Sequence, residues 1–454
     1  MTSALGILVL AAFLIYSLMS IVRPMWAFAL LVMMWALEQL VQSYVPFFLA
    51  NGILFNIYVA AIVGLAALRR VGSGGFVLGD YFNATFLCIT ALYLVGIASL
   101  AWTPGFDFAQ RQVLWLGPYI FVGVYLATML PRRVEEFDDF RKVIMIVGGL
   151  IALLILLNPN LQWHGDRAMV KLGGAAGDRG NPLALAELGA ILAVTAAISR
   201  DQGIAGFKLA LRIAIVILGL GLALKTGSRG QVLAAFVVIA FLYPTARRSD
   251  RLGQTMLNLT GLGFFAIVLF FTVTTFVTSE NLDRWSLRSI LEGGFGRLEF
   301  VMMYFKAFID SPQAWLFGFG SMAFGEVVSE GGVRFVENLF AEIIFEFGII
   351  GMLLLAVILG QSFSMGIWMI RNAPTSQARI NSTLLLGLWL MYFLIAAKSY
   401  NLWTGFPFFY ICVTMTKCGL VARREWPLLE EEYEEEDEEE YAEDYLHPAA
   451  RPIS

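Results

Sequence analysis

The sequence predicts an all-α fold, a polytopic bundle of transmembrane helices. Three observations support this prediction. The chain of 454 residues is 59% hydrophobic and only 15% charged, whereas a soluble domain carries about 25% charged residues. Apolar runs of about 18 or more residues, the length that crosses a bilayer, recur along the chain. Nearly all charged residues lie between these runs.

The apolar runs predict about 12 to 13 membrane spans within a membrane domain over residues 1–424. The predicted spans are 3–22, 25–42, 46–68, 81–102, 112–130, 143–158, 183–199, 208–224, 228–244, 255–277, 338–360, 381–398 and 401–420. The polar break between the runs 25–42 and 46–68 is short, so this is the boundary between two predicted spans that the sequence marks least clearly.

The Lys and Arg residues of the short loops predict the orientation of the bundle. One set of helix ends carries 17 of these residues, and the other set carries 7 when the long loop is left out. Because basic loops tend to stay in the cytoplasm, the richer set is predicted to be cytoplasmic. The loop 278–337 is then extracytoplasmic and the C-terminus cytoplasmic. The N-terminus is outside with thirteen spans, and inside if one early run does not cross.

An acidic tail is predicted over residues 425–454. The stretch from Glu430 to Asp444 contains 12 acidic residues, and a block of like charge is typical of a disordered segment. We expect a disordered cytoplasmic tail. It is either solvated without a partner or docks onto a basic cytoplasmic partner, such as a polysaccharide co-polymerase.

The loop 278–337 is the long polar interruption of the chain, and loops of this length are usually functional or disordered. Its aromatic content is too high for a disordered linker. After a glycine-rich turn, residues 297–310 predict an amphipathic helix in or near the outer interface, which Ser311 and Pro312 end. Arg297 stands at the predicted helix start, where a cation is unfavourable, so a negative partner is expected there. Trp285, Tyr304 and Trp315 are candidates for stacking on sugar rings or for simple packing.

Several cations of the predicted outer face lie at helix ends. Arg111 opens a span, Lys225 closes one and Arg229 opens the next, while Arg179 precedes another. Ionisable groups at the membrane are costly and often functional, and arginine binds phosphate oxygens well. These residues predict an anionic substrate, such as a lipid-linked diphosphate, at the outer interface. For each single cation, snorkelling to water is the alternative.

The segment from Lys225 to Gly230 predicts a tight hairpin between two spans. Ser228 is placed to cap the following helix, and the free N–H groups of that helix start favour an anion. Arg229 is expected to reach the same place. The hairpin is therefore a candidate diphosphate-binding element.

Glu337 stands at the mouth of the next span. A carboxylate there is suited to accept a proton from a sugar hydroxyl, although a solvated glutamate at a helix start is the alternative. Glu342 and Glu346 follow at one-turn spacing and predict a carboxylate stripe toward the bundle interior. With two histidines, and three cysteines that lack ligand spacing, neither a metal site nor a disulfide is predicted. No nucleic acid partner is expected.

A series of short motifs runs through the chain in a characteristic order. They are Trp102-Thr103-Pro104 with Arg111; Gly180-Asn181-Pro182-Leu183-Ala184-Leu185-Ala186; Lys225-Thr226-Gly227-Ser228-Arg229-Gly230; Gly296-Arg297, Ser311-Pro312 and Gly318-Phe319-Gly320; and Asn338, which a spacer of nine residues separates from Gly348-x-x-Gly351. Over residues 80 to 420 this series resembles the bacterial O-antigen ligase and Wzy-type polysaccharide polymerase superfamily.

The resemblance implies a membrane glycosyltransferase with a GT-C-like fold in the bacterial inner membrane. Such enzymes act at the outer leaflet on glycans linked to undecaprenyl diphosphate, without a nucleotide sugar and without a metal. Arginines hold the diphosphate, which leaves as the acceptor hydroxyl attacks the anomeric carbon. Arg229 and Arg297 match the family's positions. With Glu337 as general base, they form the expected catalytic set, and Arg111, Arg179, Lys225, Ser228 and Asn338 are the expected substrate-binding residues.

The sequence departs from the family pattern at one place. Ligases of this family carry a His-Asn pair before the nine-residue spacer, whereas this chain has Glu337 and Asn338. The departure favours a polymerase that joins lipid-linked repeat units. A ligase that transfers the glycan to a lipid or protein acceptor is the alternative. A transporter of the same lipid is the third candidate, although no internal repeat of the kind common in transporters is evident.

Overall fold

The computed structural model describes residues 4–172, 180–199, 206–247, 285–328 and 336–446, together with scattered positions between 260 and 282. These residues are predominantly helical, which confirms the all-α prediction. The helices, numbered in chain order, are α1 (Ala4–Val22), α2 (Pro24–Tyr44), α3 (Pro46–Ala50), α4 (Gly52–Gly72), α5 (Leu78–Tyr81), α6 (Ala84–Ala98), α7 (Phe106–Ile120), α8 (Phe137–Val143), α9 (Gly149–Leu156), α10 (Pro182–Ile198), α11 (Gly206–Lys225), α12 (Arg229–Thr245), α13 (Leu287–Ile309), α14 (Ala314–Phe317), α15 (Phe324–Val327), α16 (Leu339–Arg371), α17 (Ser376–Ser399) and α18 (Phe406–Leu446).

Eight helices in the described part of the chain are long and apolar enough to cross a membrane. They are α1, α2, α4, α6 extended to Ala101, α7 extended to Met129, α11, α16 and α17. Helices α10 and α12 are shorter apolar helices. The protein is thus a multi-pass membrane protein. The predicted span 255–277 lies mostly outside the described residues, and the total of 12 to 13 spans stays a prediction.

Local signals explain where many helices begin. Asn83, Asn181 and Thr375 each accept a hydrogen bond from a backbone N–H of the first turn that follows, at 3.0, 2.9 and 3.1 Å. Proline opens α2 and α10, where its missing N–H costs nothing. A hairpin of two antiparallel strands, β1 (Leu161–His164) and β2 (Arg167–Val170), follows α9 and is an addition to the predicted all-helical fold.

The bundle core lies around α2, α10, α17 and α18, whose apolar side chains are buried on most sides. Helices α10 and α11 approach closely at Gly189 and Gly219, where a Cβ on either residue would collide with the carbonyl oxygen of the other. Small residues at such crossings let membrane helices pack backbone to backbone. The pair therefore fixes where α11 lies against the core.

Loops that were predicted to share a side contact one another. At one end of the bundle, here called the tail end, Arg424 donates to both oxygens of Asp80 at 2.9 and 2.8 Å. At the other, the loop end, Asn158 donates to Ser43 at 2.8 Å and Thr103 donates to the Ser321 carbonyl at 2.7 Å. Each of these contacts joins segments that were predicted to lie on the same side of the membrane, and the orientation of the bundle stays a prediction.

The acidic segment differs from the sequence prediction. Helix α18 continues to Leu446, whereas a disordered tail was predicted from residue 425. Extending an existing helix avoids the cost of nucleation, and glutamate has a good helix propensity. The root of the segment is held by Trp426, whose indole N–H donates to Glu135 at 3.0 Å and whose ring stacks on Trp368.

Candidate functional site

The hairpin between α11 and α12 lies at the loop end. Helix α11 ends at Lys225 and α12 begins at Arg229, with Gly227 in the left-handed conformation between them. The Arg229 guanidinium donates to Ser289 of α13 at 3.1 Å. The hairpin therefore has the predicted boundaries, and Arg229 links it to the long loop.

Ser228 does not cap α12 as predicted. It occupies the N-cap position, but its side chain makes no cap hydrogen bond. Its hydroxyl is buried and has no hydrogen-bond partner in the described part of the chain. The backbone turn brings the residue to the right place while the side chain points elsewhere. The hydroxyl is thus a buried polar group beside Arg229.

Helix α13 begins ten residues before the predicted start. Ser286 caps it by accepting from the Ser289 N–H at 3.2 Å, and α13 then runs from Leu287 through the glycine-rich segment. Arg297 consequently lies inside the helix, so the argument from an unfavourable cation at a helix start does not hold. The predicted end is confirmed, because α13 stops at Ile309.

Glu337 and Arg297 form an ion pair. The Arg297 Nε donates to a Glu337 carboxylate oxygen at 2.9 Å, and both side chains are partly exposed. Glu337 has a φ of 55°, a left-handed conformation that costs a non-glycine residue about 1 to 3 kcal/mol. This turn directs the carboxylate toward α13 instead of along α16. Asn338 caps α16 by accepting from the Ala341 N–H at 3.1 Å, so the role the structure gives it is that of a helix cap.

Helix α16 is broken at Gly348. Its φ of 61° and ψ of −147° are non-helical, and a Cβ there would collide with the Trp315 and Leu316 carbonyls. The carbonyls of Phe345 and Glu346 instead accept from Phe319 and Gly320 at 3.0 and 2.9 Å. The motif glycine therefore lets the long loop seat against the first part of α16.

Lys398 joins the same place from the last turn of α17. Its stem packs directly over Gly230, the residue after Arg229. Its charge interacts with Arg297, Glu337, Arg167 and Arg229. Lys398 thus lies near three arginines, which come from β2, α12 and α13, and near Glu337. We call these five residues the cation cluster.

The cation cluster is suited to bind a polyvalent anion. Its members carry four positive charges and one negative charge, and three of the cations are arginines, which bind phosphate oxygens bidentately. Glu337 occupies part of this positive field through its ion pair with Arg297. An incoming phosphate would compete with that carboxylate for the guanidinium.

The other predicted binding residues have different surroundings. Arg111 lies in a separate cleft with Phe106, Met322 and Glu326, and its Nε donates to the Asp107 carbonyl at 3.1 Å. Lys225 is half-buried at the end of α11. Arg179 lies outside the described residues.

The predicted carboxylate stripe is confirmed for two of its three members. Glu342 and Glu346 are fully buried and interact with each other, and the backbone of Met322 and Ala323 lies near the Glu346 carboxyl. Glu337 does not share their face, because it precedes α16 and turns toward Arg297.

Tyr304 lies in the same interior region and is not available for sugar stacking. It is fully buried, with its ring against Phe319, Phe324 and Phe345. Burial, together with the nearby Glu346 and Glu342, raises the pKa of Tyr304 well above its ordinary value. Trp315 is half-exposed and donates to the Phe308 carbonyl at 3.0 Å. Trp285 is partly buried and packs against the apolar cluster of Ala186, Ala223, Leu224 and Val232.

Sequence reasoning did not assign Lys398 and Arg167 to the site. Both were among the cations of the predicted outer face, but no spacing connects them to Arg229 or Arg297. Arg167 begins a strand of a hairpin that was not predicted. The sequence offered one signal for these two residues, which is that each is a basic residue on the predicted outer side of the bundle.

Comparison of the chain with protein-family models and with curated proteins gave no match.

Proposed function

We propose that the protein is a membrane polymerase that joins undecaprenyl-diphosphate-linked oligosaccharide repeat units into an exopolysaccharide or O-antigen. The reaction would take place at the outer face of a bacterial inner membrane, with the C-terminus in the cytoplasm. The observation that carries the proposal is the cation cluster at the loop end, in which Arg297 pairs with Glu337 and Lys398 lies near both of them and near two further arginines. The series of family motifs supports the same reaction.

The cations would bind the diphosphate of the lipid-linked donor. Arg229 and Arg297 contact the phosphate oxygens, and Lys398 and Arg167 add positive charge from two further elements. Because negative charge grows on the diphosphate as the sugar leaves, cations fixed in place stabilise the transition state more than the ground state. The leaving lipid diphosphate departs with the electron pair of the broken carbon–oxygen bond.

Glu337 would take the proton of the acceptor hydroxyl. The acceptor oxygen forms a bond to the anomeric carbon, and its proton passes to the carboxylate. In the unliganded protein this carboxylate is held by Arg297 at 2.9 Å. Phosphate binding at Arg297 would weaken that ion pair and make the carboxylate available, so donor binding and base activation would be linked.

A ligase and a transporter are the competing functions. A ligase would use the same residues with a separate lipid or protein acceptor, and the presence of Glu337 in place of the family's histidine favours polymerisation. For a transporter, the specific observation is the break of α16 at Gly348, since broken helices line many transport sites.

The test is reconstitution of the purified protein in liposomes with a lipid-linked repeat unit as the single substrate. Size separation of the products should reveal a ladder of growing chains. Product that forms only after a separate acceptor is added would identify a ligase. Movement of the lipid across the bilayer without a covalent product would identify a transporter.

A further inference from the structure

Two acidic side chains of α16 lie near the place where the long loop rests on this helix. Glu342 and Glu346 stand one turn apart before the break at Gly348, and both are fully buried. They interact with each other, and the proposed reaction makes no use of them. Two ionised carboxylates at one buried site repel each other and lose their hydration, so such a pair keeps a proton.

The surroundings of this pair are polar at two points. The backbone of Met322 and Ala323 lies near the Glu346 carboxyl. The Tyr304 side chain of α13 is fully buried and interacts with both carboxyl groups, while its hydroxyl has no hydrogen-bond partner in the described part of the chain. A protonated carboxyl is a donor, which a carboxylate is not. A proton at this site therefore adds a hydrogen-bond donor beside the buried hydroxyl.

The groups that act on the pair include no basic side chain of the described residues. The loop segment 318–323 and helix α14 carry no ionisable side chain. On α13 and α15, the charged residues Glu299, Lys306 and Glu326 are exposed. The other helices packed on α16 have ionisable side chains that interact with different groups, such as Tyr93 of α6, Lys398 of α17 and Tyr410 of α18. The charge that neutralises the pair therefore has to come from solution.

The loop segment 318–323, here called the seated segment, contacts the same turn of α16. Its Phe319 and Gly320 donate their backbone N–H groups to the Phe345 and Glu346 carbonyls at 3.0 and 2.9 Å. The backbone of two further residues of the segment lies near the Glu346 carboxyl. One residue of α16 thus meets the segment through both its carbonyl and its side chain, so a change of charge on the pair acts directly on the seat.

We propose that Glu342 and Glu346 form a proton-binding site whose proton keeps the seated segment on α16. In the seated state the two carboxyl groups share one proton. When this proton passes to water, both groups carry a negative charge, and their repulsion and hydration favour a state in which the segment has lifted away. This assignment depends neither on glycosyl transfer nor on anion binding at the cation cluster.

The direction of the pH effect follows from the number of protons bound. The seated state holds one proton that the lifted state releases, so a rise in pH moves the equilibrium toward the lifted state. For one proton, the ratio of lifted to seated molecules changes by up to about tenfold per pH unit. The segment is therefore held most firmly under acidic conditions.

The experiment follows amide hydrogen exchange in peptides that contain Phe319 and Gly320, using the full chain purified in detergent, from about pH 6 to about pH 9. Exchange rates are divided by those of the unfolded chain at the same pH, which removes the intrinsic effect of pH on exchange. In the wild type the corrected rate should rise by up to about tenfold per pH unit. The double variant Glu342→Gln with Glu346→Gln has no ionisable group in the pair and should show no such rise.

A matched control is Glu299→Gln, which removes an exposed carboxyl from α13, the helix that carries Tyr304. It should keep the pH dependence of the wild type. A corrected rate that is independent of pH in the wild type would overturn the assignment, even if the double variant did not fold. An unchanged slope in the double variant would assign the proton to another group. If exchange slows when Na⁺ or Ca²⁺ is added and does not follow pH, a metal cation occupies the site instead.

Discussion

The two ends of the bundle both gather charged side chains, but they balance them differently. At the tail end several cations have carboxylate partners at short distance. Arg424 makes two hydrogen bonds to Asp80, and Arg132 and Arg133 share Glu425 at 3.4 and 2.6 Å. These contacts join α5, the α7–α8 connection and α18. Charge here ties the helices together.

At the loop end Arg297 pairs with Glu337, and Lys398 lies near this pair and near Arg167 and Arg229. Like charges held close together repel one another, and the ion pair between Arg297 and Glu337 offsets part of that repulsion. The backbone there also includes the left-handed Glu337 and the helix break at Gly348. Unfavourable charge and unusual conformation concentrate at functional sites. Ion pairs thus join the elements of the tail end, whereas the loop end is where we propose that an external anion binds.

The largest expected effect is loss of product on removal of Arg297. Arg297→Ala should reduce glycan formation by about a hundredfold or more, because an oriented cation is lost where negative charge develops. The liposome assay measures it. The control is Arg288→Ala on the same helix, whose exposed pair with Glu292 is distant from this chemistry. Equal activity of the two variants would remove the distinction between the ends.

Glu337→Gln sharpens the comparison because binding and chemistry should move in opposite directions. We expect turnover to fall by about a hundredfold through loss of the base. Affinity for inorganic diphosphate should rise by about fivefold, because a carboxylate that competes for Arg297 has been neutralised. Glu292→Gln is the matched control. Weaker diphosphate binding in Glu337→Gln would mean that the carboxylate supports the site rather than competing for it.

Gly348→Ala tests the break in α16. The new methyl group would meet two carbonyl oxygens at a φ of 61°, so we expect a loss of about 2 to 3 kcal/mol in stability and an activity loss of about tenfold. The measurements are thermal unfolding in detergent and the liposome assay. Gly360→Ala is the control, because a Cβ there meets no atom within 4 Å. If both variants behave alike, the break does not position the loop end.

Asp80→Ala should have the smallest effect on function. It removes both acceptors of Arg424 and should lower stability by about 1 to 2 kcal/mol, while activity per folded molecule stays the same. Thermal unfolding combined with the specific activity of folded protein measures this. Asp139→Ala, in a long and exposed pair with Lys142 at 3.9 Å, is the control. A large loss of specific activity would show that the tail end also takes part in function.

Much of the candidate site was visible in the sequence, but its assembly was not. Arg229, Arg297 and Glu337 were identified by their positions at helix ends and in motifs, and all three belong to the cation cluster. The start of α13 was missed because the glycines suggested a turn, whereas the Ser286 cap starts the helix. The Ser228 hydroxyl was misassigned because a cap depends on rotamer as well as position. Tyr304 was considered for stacking, and packing against three phenylalanines buries it.

The sequence by itself determined that this is a multi-pass helical membrane protein. The reason is physical, since a bilayer leaves no partner for unpaired backbone groups and each apolar run of sufficient length must become a helix. Tertiary structure alone decided which charges meet. Arg167 and Lys398 are separated by more than half of the chain, and nothing in their local sequence relates them. Packing at the loop end brings Arg167 of β2 and Glu337 near Lys398 of α17, because long-range contacts depend on how whole elements pack and not on local spacing.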